Sequence, residues 1–266
     1  MAHAQTTTPR WAVILGASSG FGEASARALA AAGYDIAGVH LDRKAGLKRV
    51  DEIKAEIVGH GRRHRFFNIN AADESRRREV MEALAEDLDA NGGTVAVLMH
   101  SLAFGTLKPY VGDDSLTKAN VEMTLDVMAH SLVYWAQDLV GRGLMGRGGR
   151  IYTMTSSGST RVLRSYGAVS AAKCALESHI RQLALELAPR GITANALRGG
   201  VTDTPAARKI PGSERLFEEG VRRNPHGRLT TPDDIGRAVV ALSTPGTDWI
   251  TGNVINVDGG EEISGG

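Results

Sequence analysis

The sequence predicts one α/β domain in which helices cover both faces of a doubly wound parallel β-sheet. Short apolar runs alternate with longer amphipathic segments along the chain, and this alternation indicates parallel strands joined by helical crossovers. A glycine-rich turn directly follows the first apolar run, as expected where a strand turns sharply into a helix. Neither an internal repeat nor a long low-complexity linker divides the 266 residues, so a single domain is expected over residues 10–266.

The apolar runs are predicted to be strands because each is short and ends at a turn signal. The first and fourth, WAVIL and TVAVLMH, are apolar almost throughout, as in strands that are covered on both faces. The predicted strands cover residues 11–15, 35–41, 63–69, 94–100, 149–156, 192–198 and 253–257. The segments between them repeat apolar residues at helical spacing. They predict helices over residues 21–32, 45–58, 75–91, 121–142, 166–188 and 232–242.

The longest predicted irregular segment covers residues 199–232. Its interrupting residues are Gly199, Gly200, Pro205, Pro211, Gly212 and Pro225. A loop of this length in a compact domain is usually functional, so we expect a substrate loop here. Basic side chains concentrate in it and acidic ones offset part of their charge: Arg208, Lys209, Arg215, Arg222 and Arg223, with Glu214, Glu218 and Glu219. An amphipathic helix with mixed surface charge is the alternative interpretation of this part.

The composition is that of an ordinary soluble globular protein, and it excludes several classes of function. A formal net charge of +1 gives no global attraction to nucleic acid or to an anionic membrane, and no run approaches the roughly 18 apolar residues of a membrane span. The only cysteine, Cys174, excludes an internal disulfide framework and a multi-cysteine metal site. His60 and His64 lack the cysteine or acid that would complete a metal site, so no metal is expected.

The N-terminal segment, residues 1–9, is expected to be a frayed tail. It has neither the basic start nor the apolar stretch of a signal peptide. The lone cysteine also suits a reducing compartment. We therefore expect a cytoplasmic protein.

The glycine-rich turn GASSGFG predicts a dinucleotide-binding site. Its glycines follow a GxxxGxG spacing between the first strand and the first helix. Glycines let the backbone approach a pyrophosphate, and the start of the helix offers unpaired N–H groups and a partial positive charge. This context indicates a Rossmann-like cofactor site. The expected contacts are Gly16, Ser18, Ser19, Gly20, Phe21 and Gly22.

The end of the second strand bears on the choice between NADPH and NADH. A site selective for NAD usually has a carboxylate here that binds the ribose 2′-hydroxyl, but by spacing that position is His40. Asp42 favours NADH if its loop folds inward, whereas Arg43 and Lys44 would neutralise a 2′-phosphate. A solvated charge cluster at a helix start is the alternative interpretation. We expect NADPH rather than NADH.

Three features together resemble the short-chain dehydrogenase/reductases: the glycine-rich turn, a Tyr/Lys pair on a long helix, and the DGG at residues 258–260. The resemblance covers about residues 10–262. Ordinary members have Tyr-x-x-x-Lys, but the residue four positions before Lys173 is Val169, which has no proton to donate. The tyrosine here is Tyr166, and its Tyr-x6-Lys spacing is similar to that of the enoyl-acyl-carrier-protein reductases.

Two further segments depart from the ordinary pattern in the same direction. HSLAF at residues 100–104 stands where ordinary members have Asn-Asn-Ala-Gly, and it is similar to the His-Ser-hydrophobic-small-Phe of enoyl reductases. GGVTDT at residues 199–204 departs from the common Pro-Gly start, as in some enoyl reductases. The helix geometry agrees, because seven residues are two turns and leave Tyr166 and Lys173 within about 20° of the same face.

The resemblance implies NADPH-dependent reduction of the 2,3-double bond of an enoyl thioester, with hydride delivered to Cβ. It implies that Tyr166 hydrogen-bonds the thioester oxygen and stabilises the enolate, and that Lys173 binds the nicotinamide ribose. The tyrosine is displaced by roughly 4.5 Å along the helix, which suits charge that develops on that oxygen. Phe104 and Ser156 are expected to contact the substrate. The other expected cofactor contacts are Ile69, Asn70, Ser101, Leu102, Ala103, Gly199, Gly200, Val201 and Thr204.

Ser156 and Asp126 leave alternatives open. Ser156 stands where many enoyl reductases have an aromatic residue and ordinary members keep the catalytic serine; it donates a second hydrogen bond to the substrate or caps a strand end. Asp126 falls near the asparagine of the ordinary proton relay. An exposed helix carboxylate is the preferred interpretation of Asp126, and a role in a water chain is the alternative.

The resemblance also implies partners. The substrate would be an acyl thioester of acyl carrier protein or coenzyme A in fatty acid biosynthesis, and the assembly a homotetramer. A basic rim on the substrate loop would suit either carrier. The alternative functions are a carbonyl reductase, such as a 3-oxoacyl-thioester reductase, and a non-catalytic NADPH-binding sensor. The Tyr166/Lys173 pair argues against the sensor.

Overall fold

The computed structural model describes residues 8–264 and has the predicted architecture, a seven-stranded parallel sheet with helices on both faces. The strands are β1 Arg10–Leu15, β2 Asp35–His40, β3 His64–Asn68, β4 Thr94–His100, β5 Arg150–Thr155, β6 Thr193–Gly199 and β7 Val254–Val257. Their spatial order is β3-β2-β1-β4-β5-β6-β7. The predicted fold class is therefore confirmed. The predicted frayed tail falls mostly on residues 1–7, which lie outside the described residues.

The helices cover the sheet in two layers. They are α1 Gly20–Ala31, α2 Leu47–Gly59, α3 Glu74–Asn91, α4 Lys118–Leu125, α5 Ser131–Gly141, α6 Gly167–Leu187, α7 Ser213–Arg223 and α8 Pro232–Leu242. Side chains of β1 alternate between the two cores, since Trp11 and Val13 pack with α3, α5 and α6, whereas Ala12 and Ile14 pack with α1, α2 and α8. Burying one large aliphatic side chain in such a core contributes about 1.5–3 kcal/mol.

The helix predicted over residues 121–142 differs from the observed structure at its start and in its middle. It begins at Lys118, because Thr117 and Asn120 form a reciprocal capping box. A π-helical turn, Asp126–His130, then joins α4 to α5. The Ser131 hydroxyl donates to the Val127 carbonyl oxygen at 2.8 Å, so a side chain takes a carbonyl that a regular helix would pair with an N–H.

The prediction of an irregular segment over residues 199–232 is wrong for residues 213–223, which form α7. The helix begins after Gly212, whose φ of 78° turns the chain. It packs closely on Val201, because a Cβ at Gly220 would lie 2.7 Å from the Val201 Cβ. An ion pair between Arg215 and Glu219 at 2.9 Å links successive turns. The amphipathic helix that the sequence left as the alternative is the one observed.

The carboxyl ends of the strands meet along one edge of the sheet and position the site. β1 lies between β2 and β4, so the strand order reverses there, and the crevice at such a reversal is where doubly wound sheets bind ligands. The segments that follow β1, β4, β5 and β6 all reach this crevice. Within the described residues, no helix is long and apolar enough to cross a membrane.

Candidate active site

The glycine-rich turn forms a cradle of bare backbone at the start of α1. Gly16 has a φ of 89°, and a Cβ there would collide with the Ser101 carbonyl oxygen; a Cβ at Gly22 would collide with the Gly16 carbonyl oxygen. Among the described residues, the Ser19 side chain accepts no hydrogen bond from the first turn of α1. The cradle and the uncapped helix start fit the pyrophosphate of a dinucleotide.

His40, the last residue of β2, is buried and contacts Asp42 in the loop that follows. This side chain is only 5% exposed, and its Nδ1 lies 2.9 Å from the Asp42 Oδ2. Burial lowers the pKa of His40, which the hydrogen bond to Asp42 partly opposes. The Asn68 side chain also holds the backbone of Asp42. Its Oδ1 accepts from the Asp42 N–H and its Nδ2 donates to the Asp42 carbonyl oxygen, both at 2.9 Å. One oxygen of the Asp42 carboxylate is thus hydrogen-bonded to His40, while Arg43 and Lys44 are exposed.

Ile69 and Asn70 follow β3 beside this end. The Ile69 N–H donates to the His40 carbonyl oxygen at 2.8 Å, and its side chain is buried. The Asn70 Oδ1 accepts a hydrogen bond from the Ala72 N–H at 3.0 Å. Both predicted contacts therefore lie near the end of β2, where Asn70 stabilises its own turn.

A cavity of about 200 Å³ opens at the crevice and gathers most of the predicted catalytic and nicotinamide-side residues. These are Phe21, Ser101, Leu102, Ala103, Ser156, Tyr166, Lys173, Gly199, Gly200, Val201 and Thr204. A second cleft continues along the glycine-rich turn and shares Thr204 with the first; it is lined by Ser18, Ser19 and Gly20. The Phe104 side chain, expected to contact substrate, is 56% exposed and lies outside the cavity lining in the described chain.

Tyr166, Lys173 and Ser156 converge inside this cavity from two elements. Tyr166 is the residue before α6, and its Oη lies 3.5 Å from the Ser156 Oγ at the end of β5. Lys173, two turns along α6, donates from Nζ to the Met154 carbonyl oxygen at 2.8 Å. The Ser156 Oγ also accepts from the Gly158 N–H at 3.3 Å. Ser156 therefore caps the turn after β5, and its hydroxyl also lies in the cavity, so a second hydrogen bond from Ser156 to the substrate stays a prediction.

Burial shifts both ionisable groups. It raises the pKa of Tyr166, with the Ser156 hydrogen bond opposing the shift, so the phenol is a neutral donor at neutral pH. It lowers the pKa of Lys173 to about 8, with the charge of Glu177 opposing that shift. The lysine therefore carries positive charge in most molecules at neutral pH.

Two glycines that the sequence did not single out, Gly158 and Gly105, make room for the side chains of Tyr166 and Val169. A Cβ at Gly158 would lie 2.5 Å from the Tyr166 ring, and the Ser170 hydroxyl donates to the Gly158 carbonyl oxygen at 2.6 Å. Val169, at the ordinary tyrosine position, packs against Gly105, where a Cβ would lie 2.8 Å from it. A lone glycine in a chain with 32 of them carries no signal of such a contact.

His100, the first residue of the HSLAF segment, is fully buried behind the cavity. Its Nε2 lies 2.9 Å from the Ser131 Oγ, which itself donates to Val127, and its Nδ1 lies 3.3 Å from the Thr153 Oγ1. Burial and the charge of Lys173 lower its pKa to about 3. His100 is therefore neutral and joins β4 to Ser131 at the start of α5.

The charges of the predicted substrate loop are partly neutralised. Arg208 forms two hydrogen bonds with Asp203, at 2.6 and 2.8 Å. Lys209 is exposed and lines the cavity. Asp126 is half-buried and accepts a hydrogen bond from the Tyr134 hydroxyl at 3.0 Å, so its preferred interpretation as an exposed carboxylate is wrong.

Comparisons with known proteins show which family the chain belongs to. A family model described as enoyl-(acyl carrier protein) reductase matches residues 16–262. The enoyl-(acyl-carrier-protein) reductase (NADH) of Aquifex aeolicus is 31% identical over 188 residues, which cover 70% of this chain and 69% of that protein. A crystal structure of the Aquifex aeolicus reductase superimposes with a TM-score of 0.81 at 28% identity, covering 97% of this chain and 98% of that one. Galactitol 2-dehydrogenase of Cereibacter sphaeroides is 31% identical over 257 residues, 95% of this chain and 94% of that protein.

Proposed function

Since the chain belongs to the enoyl-(acyl carrier protein) reductase family of the short-chain dehydrogenase/reductases, we propose that it reduces the 2,3-double bond of an enoyl thioester with NADPH. Membership makes it an oxidoreductase of the kind that binds a nicotinamide dinucleotide. The finer assignment depends on the site. Its main support is that Tyr166, not residue 169, presents a hydroxyl to the cavity in line with Lys173.

The position of that hydroxyl suits a conjugate reduction. Tyr166 is the residue before α6 and precedes Val169, the ordinary tyrosine position, by three residues, so its backbone is displaced from where a carbonyl reductase carries its acid. When hydride adds to Cβ of an enoyl thioester, negative charge develops on the thioester oxygen. A neutral phenol aimed at that oxygen stabilises the charge, an effect worth about 3–4 kcal/mol, and Cα afterwards takes a proton from solvent.

The other residues would hold and orient the cofactor and the substrate. The bound nicotinamide dinucleotide supplies the hydride. The Lys173 ammonium, fixed on the Met154 carbonyl oxygen, offers its remaining protons to the ribose hydroxyls and adds positive potential. The apolar side chains of Leu107, Met128 and Leu163 line the cavity, where they would exclude water from the acyl group.

NADPH is proposed from the end of β2, although the Aquifex aeolicus relative is named for NADH. His40 occupies the position where an NAD-selective site has a carboxylate. The Asp42 carboxylate is hydrogen-bonded to His40, and this pairing competes with a bond to a ribose hydroxyl. Arg43 and Lys44 are exposed nearby and would pair with a 2′-phosphate.

Carbonyl reduction is the second candidate, and one observation favours it. Ser156, at the position of the ordinary catalytic serine, keeps its hydroxyl 3.5 Å from the Tyr166 Oη. Such a pair would also polarise a ketone. The similarity to galactitol 2-dehydrogenase over nearly the whole chain is in keeping with this alternative.

The two candidates are separated by matched thioesters. Purified protein is assayed with crotonyl and acetoacetyl thioesters of coenzyme A and of acyl carrier protein, each with NADPH and NADH. We expect oxidation of NADPH with the crotonyl substrates and none with acetoacetyl. The reverse pattern establishes the carbonyl reductase, and the comparison of carriers identifies the partner.

A homotetramer is proposed from the same family membership. Leu185 on α6 is 72% exposed and Trp249, before β7, is 92% exposed, and large apolar side chains that are exposed in one chain are often covered by another. Analytical ultracentrifugation measures the assembly directly. A sedimenting monomer would contradict the proposal.

A further inference from the structure

Glu177 lies one helical turn beyond Lys173 on α6, and its carboxylate is bonded at the inner wall of the site. Its Oε1 accepts a hydrogen bond from the Thr155 Oγ1 at 2.7 Å and lies 3.2 Å from a terminal nitrogen of Arg198. The side chains of Glu177 and Arg198 are only 13% and 12% exposed. Removing one partner of such a buried pair leaves the other charge uncompensated. A change at Glu177 would therefore also disturb the residues that line the neighbouring cavity.

The register of the sheet brings these partners together. Thr155 lies directly beside Arg198 in the parallel pairing of β5 with β6. Both residues are at the carboxyl ends of their strands, where the cavity opens. Helix α6 packs on β5 and β6 and places Glu177 against both side chains. One carboxylate therefore joins three elements at the edge that holds the site.

Arg198 extends these contacts to the turn that follows Ser156. It donates to the Ser159 hydroxyl at 3.2 Å, and that hydroxyl donates to the Ser156 carbonyl oxygen at 3.0 Å. On its other side, Arg198 lies 4.0 Å from Glu262, which pairs with Arg161 of the same turn at 3.4 Å. The backbone around Ser156 is thus held by a chain of contacts that begins at Glu177.

Glu177 also acts on Lys173 by its charge. Lys173 is buried, and Glu177 is the anion within the described chain that opposes the resulting fall of its pKa to about 8. Of the ionisable groups around Lys173 and Glu177 in the described chain, His100 on β4 is neutral, with a pKa of about 3, and Tyr166 is a neutral phenol with a raised pKa. Arg198 on β6 is a cation, and the anion Glu262 lies on its far side at 4.0 Å.

We infer that Glu177 is a positioning residue for the proposed reaction: bonded to Thr155 and Arg198, its carboxylate holds the backbone of Ser156, so that the serine hydroxyl stays beside the Tyr166 hydroxyl as a second donor to the substrate oxygen. Glu177 also lies one helical turn from buried Lys173, whose positive charge it supports. It acts through these neighbours and lies outside the cavity lining of the described chain. The inference rests on the proposed function for the identity of the substrate. Its effect on Lys173 is measurable without any substrate.

The first test separates the charge from the hydrogen bond. Glu177→Gln keeps an oxygen that accepts from Thr155 but removes the charge. The dissociation constant of NADPH is measured by cofactor fluorescence from about pH 6 to about pH 10, a range that spans titration of the lysine. We expect the pH above which NADPH affinity falls to drop by about one unit in Glu177→Gln. Glu186→Gln, at an exposed position of the same helix, is the matched control and should behave as the wild type.

Two more variants keep the test decisive. Thr155→Val retains the charge and loses the hydrogen bond, so we expect kcat to fall about tenfold with the pH profile of NADPH binding unchanged. Glu177→Asp retains the charge and should keep the wild-type profile; it carries the test if Glu177→Gln does not fold. An unshifted profile in Glu177→Gln, or a profile in Glu177→Asp displaced by a full unit, overturns the inference. Failure of the wild type to reduce any enoyl thioester instead overturns the proposed function, while the binding profiles still report on Glu177 and Lys173.

Discussion

The two ends of the site are built from different parts of the chain. At the proposed dinucleotide end, the backbone lines the site: Gly16 and Gly22 bring bare peptide groups together at the start of α1. At the proposed catalytic end, side chains converge from separate elements: Lys173 from α6, Tyr166 from the position before α6, and Ser156 from the position after β5. A backbone site is sensitive to any added Cβ, whereas a side-chain site is sensitive to single functional atoms. Substitutions at the two ends should therefore fail in different measurements.

The largest effect is expected at the catalytic end, from Tyr166→Phe. Loss of a donor to a developing oxyanion costs about 3–4 kcal/mol, or about 10²–10³-fold in kcat, while NADPH affinity should stay nearly unchanged because the ring still fills its place. Steady-state rates with crotonyl thioester and a cofactor titration measure both. Adding Val169→Tyr should not restore the rate, since its hydroxyl is about one turn nearer Lys173. Full kcat in Tyr166→Phe would remove the main support for enoyl reduction.

At the dinucleotide end, Gly16→Ala should weaken cofactor binding as well as stability. The left-handed φ costs a residue with a Cβ about 1–2 kcal/mol of stability, and cofactor binding is weakened because the methyl group meets the Ser101 carbonyl oxygen and the turn must shift to admit it. Gly33 is the matched control, because its φ is 90° but a Cβ there meets nothing within 4 Å. Gly33→Ala should lose only stability. Isothermal titration with NADPH separates the two variants, and equal affinities would mean that Gly16 does not form the cradle.

The choice between NADPH and NADH should depend on side chains, although the rest of the dinucleotide end is built from backbone. Replacing Arg43 and Lys44 together by alanine should weaken NADPH by about 1–3 kcal/mol and leave NADH unchanged, because only NADPH has the 2′-phosphate. Dissociation constants for both cofactors, in wild type and variant, make the comparison. Equal wild-type affinities for NADPH and NADH would contradict the proposal.

The smallest expected effect is a pH dependence that belongs to the catalytic end. Burial lowers the pKa of Lys173 to about 8, so its positive charge is present below that pH and lost above it. Cofactor affinity and kcat/KM should therefore drop to about half of their plateau values near pH 8 and fall further above it. In Lys173→Ala, residual NADPH binding should be weak at every pH and lack this decline. A wild-type profile that is flat to pH 10 would show that the charge of Lys173 does not matter.

The same contrast explains how much of the site the sequence could predict. The glycine-rich turn is a local motif, since the residues that make the cradle are neighbours in the chain. Lys173 lies two turns along α6 and Tyr166 is the residue before that helix, so their spacing alone predicts a common face. Glu177 and Arg198 belong to different elements and meet only because β5 and β6 pair with Thr155 beside Arg198. No local pattern encodes that register.

The sequence by itself determined the alternation of strands and helices, the dinucleotide turn and the Tyr166/Lys173 pair, because each depends on residues close together in the chain. Tertiary structure alone decided the π-helical turn, the helix at residues 213–223, the exposed position of Phe104 and the contacts of Glu177. Each of these depends on which side chain or carbonyl a distant segment presents. Helix α7 packs on Val201, and Glu177 forms an ion pair with Arg198. Packing between elements selects among local conformations of similar energy. Local sequence patterns do not predict that packing, because its contacts join residues that are far apart in the chain.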